Sequence, residues 1–101
     1  MDVFKVVPLA PSSVSPNLLE NARLEVSPNP SADQFRIRYD WPAEGTPVLE
    51  VRNALGQMVE NRSLGTANGT LDCGSYWPKG VYFAVLRGQG QQSAGVKLVK
   101  Q

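Results

Sequence analysis

Gln34-Phe35-Arg36-Ile37-Arg38-Tyr39 alternates polar and apolar side chains without a break. Successive side chains of an extended chain point to opposite faces. Phe35, Ile37 and Tyr39 therefore share one face, and the polar residues share the other. This period of 2 is the pattern of a strand buried on one side and wet on the other. Upstream, Leu24 and Val26 alternate with Arg23 and Glu25 in a shorter strand. Pro28-Asn29-Pro30 ends it, because each proline removes a backbone donor and holds the preceding residue extended. Downstream, Leu49 and Val51 alternate with Glu50 and Arg52. Asn53-Ala54-Leu55-Gly56 has the composition of a tight hairpin, with Gly56 supplying a positive φ. Residues 57–64 are its return strand. Asn68-Gly69 reads as a type I′ hairpin turn leading into residues 70–73. After Lys79-Gly80 comes the apolar strand 81–86, then a turn at Gly88-Gln89-Gly90 and a last strand over 91–99.

About seven short strands at this spacing predict an all-β fold, an antiparallel immunoglobulin-like β-sandwich. Its expected core is Phe35, Ile37, Leu49, Val51, Tyr82, Leu86 and Leu98, with the Tyr82 hydroxyl reaching a backbone partner near its strand start. The strand 81–86 is apolar on both faces. Val81, Phe83 and Val85 are either a small cluster under a loop or an exposed docking stripe.

Residues 1–22 differ from the rest. They hold Pro8, Pro11 and Pro16, a run Ser12-Ser13-Val14-Ser15, and no glycine. They read as a linker, with a short strand at Val3 to Val7, and are expected to be dispensable for folding. Residues 23–101 form the folded domain.

Composition excludes several functions. Among 101 residues, 10 Lys and Arg face 9 Asp and Glu, a net charge of +1. That balance gives no electrostatic case for nucleic acid. There is no histidine, which removes Ser-His-Asp catalysis and His-ligated metal sites. The single cysteine, Cys73, permits neither an internal disulfide nor a thiolate cluster and reads as a small buried hydrophobe. Asp33, Asp40 and Glu44 lack the alternating oxygen ligands of a calcium loop. No cofactor, metal site or membrane insertion is expected, and no apolar run approaches the ~20 residues that span a bilayer. Trp41, Tyr76 and Trp77 lie beside proline or in loops. They either cap the sandwich or form a sugar-stacking strip.

Four segments in order resemble the C-terminal sorting domain of the type IX secretion system. They are Ser27-Pro28-Asn29-Pro30, Leu49 to Gln57 with Asn53 and Gly56 at its hairpin, Lys79-Gly80-Val81-Tyr82-Phe83, and the ending Val96-Lys97-Leu98-Val99-Lys100-Gln101. Asp33 stands where family members often carry a glycine, and aspartate also suits a turn. The resemblance implies a non-catalytic address label at the end of a larger secreted parent, whose signal peptide lies upstream of this chain. The outer-membrane apparatus would recognise the folded domain. A surface protease would remove it and attach the cargo to lipopolysaccharide at the cell surface. By the same resemblance Pro28, Asn29, Pro30, Asn53, Gly56, Gly80, Val81 and Tyr82 are structural, and Lys97, Leu98, Val99, Lys100 and Gln101 carry recognition. Strand parity turns Leu98 inward and Val99 outward beside Lys97. The terminal residues are expected to matter for export more than for folding, with Lys97 and Lys100 as exposed, exchangeable charges on a monomeric domain. The rival reading is an immunoglobulin-like accessory module that binds carbohydrate or packs on an adjacent enzyme domain.

Overall fold

The structure, a computed structural model, describes residues 17–101. The strand expected at Val3 to Val7 lies outside the described residues. Two layers face each other, antiparallel throughout except for one short parallel pairing at the edge of the larger sheet. The small sheet runs β2 (Arg23–Ser27), β3 (Phe35–Asp40), β6 (Asn68–Cys73). The large sheet runs β1 (Asn17–Leu18), β8 (Gln91–Gln92), β7 (Gly80–Gly88), β4 (Val48–Asn53), β5 (Met58–Ser63), with β9 (Val96–Lys100) also paired to β7. Among the described residues no helix forms, so none is long and apolar enough to cross a membrane. The all-β sandwich is as the alternation requires.

The inward side chains of β3, β4, β7 and β9 interdigitate. Phe35, Ile37, Leu49, Val51, Tyr82, Leu86 and Leu98 all lie in one buried cluster. Covering seven such side chains contributes on the order of 1.5–3 kcal/mol each before chain entropy is set against it. The Tyr82 hydroxyl donates to the Pro78 carbonyl at 2.5 Å, close to the start of β7.

Two local expectations are corrected. Asn68-Gly69 does not turn a hairpin but opens β6, because β5 and β6 belong to different sheets. The glycine serves close approach instead: a Cβ at Gly69 would meet the Tyr39 hydroxyl oxygen at 3.1 Å. That hydroxyl bonds to Thr66 Oγ1 at 2.7 Å, and Thr66 in turn donates to the Asn68 carbonyl. The last strand is also split. Ser93 is buried, and its Oγ accepts the Leu86 amide at 2.9 Å while donating to the Ala94 carbonyl. A side-chain oxygen thus replaces a ladder carbonyl, and pairing resumes only at Val96. Contacts to the sandwich are also made by residues upstream of Arg23. Asn17 and Leu18 pair with Gln91 and Gln92, and Leu19 and Ala22 pack against the core.

Candidate functional site

β9 is the site's frame. One edge pairs with the first half of β7, matching Tyr82 with Leu98 and Val81 with Val99. Its other edge would leave peptide groups open to any extended chain. The segment after β2 closes it. Asn29 Nδ2 donates to the Lys97 carbonyl at 2.8 Å, and Asn29 Oδ1 accepts the Val99 amide at 3.0 Å. The Ser31 amide then donates to the Val99 carbonyl, and the Gln101 amide donates to the Ser31 carbonyl. Asn29 therefore stands in for one peptide unit of a neighbouring strand. Only a primary amide can donate and accept side by side in this way. Pro28 and Pro30, both preceded by cis peptide bonds, flank it.

Side chains of β9 divide by parity. Leu98 is fully buried, Lys97 and Gln101 are exposed, and Val99 is half-buried on the outer face beside Val81. Lys100 overturns its expected exposure, since it is only 6% exposed. It shares the inward parity of Leu98, and its Nζ donates to the carbonyls of Asp33 and Gly74. An ammonium fits the interior here because two backbone oxygens meet it. The terminal residues are thus part of the fold itself, and Lys97 and Lys100 are not interchangeable.

The other motif residues converge on the same end of the large sheet. Asn53 lies opposite Tyr82, which lies opposite Leu98, so one row crosses three strands. Asn53 holds its hairpin with Oδ1, which accepts the amides of Leu55 and Gln57. Gly56 has φ 85° with open space around it, so its conformation and not its size is what the turn requires. A shallow groove runs between this hairpin and Lys79-Gly80-Val81-Tyr82. Gly80 lies opposite Lys100.

The aromatic strip is not formed. Trp41 is 2% exposed and Trp77 5%, and both belong to the core, leaving only Tyr76 in solvent at 78%. Trp77 lies 5.9 Å from the Phe35 ring and 4.7 Å from Tyr82 between centroids. These rings fill the sandwich end and offer no face to a sugar. Cys73 is buried, and burial pushes its thiol up to about 11. Such a thiol is a poor nucleophile at neutral pH.

Sequence reasoning missed the partners of Asn29 and Lys100. A signal was present: Asn29 is the one side chain in Pro28-Asn29-Pro30 that both donates and accepts.

Searches of curated proteins and of solved structures returned no match. A family model, the secretion system C-terminal sorting domain, matches residues 25–101. The matched span holds both the Asn29 clasp and the strand it clasps. The chain belongs to this family, and its sandwich is a C-terminal sorting domain of type IX secretion, the kind of domain carried by secreted or cell-surface proteins.

Proposed function

We propose that the folded domain is a non-catalytic address label, read at the outward side chains of its terminal strand as the parent crosses the outer membrane. The observation that carries this reading is the division of β9. Leu98 and Lys100 lock the strand inside, while Lys97, Val99 and Gln101 point away from the core. The clasp by Asn29 and Ser31 removes the strand's free edge from pairing with another chain. A receptor is then left with side chains to read: one cation to steer approach and one apolar contact. The domain acts as a monomer without a cofactor. Its partners are the outer-membrane type IX apparatus and a surface protease that cuts upstream of the sandwich and attaches the cargo to the cell surface.

Truncation after Val96 is a poor test, because it removes the buried Leu98 and Lys100. The decisive experiment is a fusion of a signal peptide, a fluorescent protein and residues 1–101, expressed in a host with the apparatus. The unaltered fusion should reach the surface. A variant carrying Lys97→Glu and Val99→Thr should melt close to the unaltered domain yet remain in the periplasm. Periplasmic retention of the unaltered fusion would refute the sorting role.

A further inference from the structure

The two outer faces of the sandwich differ in kind. The small sheet's outer face is a lattice of opposed charges. Arg23 lies opposite Asp40, Glu25 opposite Arg38, and Arg36 opposite Asp72, so three arginines meet three carboxylates. Arg36 bonds Asp72 at 3.1 Å, and no large apolar side chain interrupts the pattern. This face is built for water.

The large sheet's outer face is not. Val81, Phe83 and Val85 run along β7, and Val99 lies opposite Val81 on β9. Phe83 is 47% exposed. It lies directly between Arg52 on β4 and Lys97 on β9. Among the described residues neither cation pairs with a carboxylate. The one acid of this face near the stripe, Glu50, is already held by Arg87 at 3.1 Å. Among the described residues an apolar stripe therefore carries two positive charges without a carboxylate partner, one on each side of its exposed ring.

We infer that this face, centred on Phe83 between Arg52 and Lys97, docks a protein of the secretion apparatus that presents apolar side chains flanked by carboxylates. The inference rests on the sorting reading above and extends it from the terminal strand to β4 and β7. Charge decides the occupant. A second copy would bring Arg52 and Lys97 against the same two cations, and like charges across an interface are repulsive. A nucleic acid or a sugar would leave the valines without a dry contact. A carboxylate-flanked apolar patch satisfies both halves, with the aromatic ring as the buried anchor and the cations at the rim.

The test uses the same fluorescent fusion, with variants outside the terminal strand. Phe83→Thr keeps a strand-favouring residue and removes the ring. Arg52→Glu reverses one rim charge. Thr70→Lys, on the opposite outer face, is the control. Melting by circular dichroism must show each variant folded. Surface delivery should fall about tenfold or more for Phe83→Thr, severalfold for Arg52→Glu, and remain unchanged for Thr70→Lys. If the unaltered fusion is delivered and folded Phe83→Thr is delivered equally well, the docking face is refuted while the sorting role stands. If Phe83→Thr fails but Arg52→Glu does not, the acidic partner is refuted. If the unaltered fusion is not delivered, the sorting reading falls and this inference with it. Sedimentation of the purified domain should give a monomer; a dimer dissolved by Phe83→Thr would place a second copy on the face. The methyl NMR shifts of Val81, Val85 and Val99 should not move when residues 1–16 are deleted. If they move, the chain's own N-terminal segment is the occupant and the inference is overturned.

Discussion

Lys97→Glu and Lys100→Glu make the same charge change on one strand, but the two side chains stand in different surroundings. Lys97 is exposed, with its side chain on the outer face. Replacement there should alter stability by about 0.5 kcal/mol or less, the usual range for a surface site. Lys100 is buried, and its ammonium serves the Asp33 and Gly74 carbonyls. Each charge-assisted bond contributes roughly 1.5–3 kcal/mol, so losing both costs about 3–6 kcal/mol. Glutamate adds the burial of a carboxylate facing two carbonyl oxygens, which cannot donate to it. For a domain of this size 1 kcal/mol moves the melting temperature by roughly 4–8 °C. Lys100→Glu should therefore melt at least about 12 °C below the unaltered protein and could exhaust its stability outright. Lys100→Met, which keeps the stem and loses the charge, should fall between the two. The assay is thermal unfolding followed by far-ultraviolet circular dichroism. A Lys100→Glu protein melting within about 3 °C of the Lys97→Glu protein would refute the buried placement of the ammonium and the parity argument behind it.

Asn29→Ala removes both bonds to β9 and should cost about 1–2 kcal/mol. Hydrogen exchange should report the loss locally, with faster exchange at the Val99 amide and little change at the core amides of β3; unchanged protection at Val99 would argue against the clasp. Cys73 should resist thiol reagents at pH 8 until the protein unfolds, and rapid labelling of the native state would contradict its burial. Because its folded pKa is raised from 9.0 to about 11, ionisation favours the unfolded chain, so its contribution is intact below pH 9 and is lost as pH rises toward 11. Cys73→Ala should remove that part of the alkaline decline in a pH series of melts. A chain starting at Arg23 should melt below one starting at Asn17, since it lacks the β1 pairing and the Leu19 and Ala22 contacts; equal melting temperatures would confine the folded unit to residues 23–101.

The candidate site was legible only in pieces. The four family-like segments could be read in order along the chain, and their order pointed to the family. Their convergence could not be read, because nothing in Asn53-Ala54-Leu55-Gly56 says that Tyr82 and Leu98 will continue its row. The outer stripe of β7 was equally visible as an apolar alternation. Whether it would be covered depended on what packs over that face, and Phe83 proves to stand open between two cations.

What the sequence by itself determined is which side chains share a face. Alternation is a property of the extended backbone, set residue by residue, so Phe35, Ile37, Leu49, Val51, Tyr82, Leu86 and Leu98 could be assigned to one core without knowing their neighbours. The same alternation puts Lys100 on the face of Leu98, yet a lysine reads as a surface residue until its partners are known, and Lys100 was expected to be exposed. Those partners come from far along the chain. The carbonyls that hold Lys100 lie 67 and 26 residues away, and the asparagine that closes the β9 edge lies 68 residues from Lys97. Whether a charge can be buried depends on the dipoles gathered around it, and only the tertiary fold gathers them.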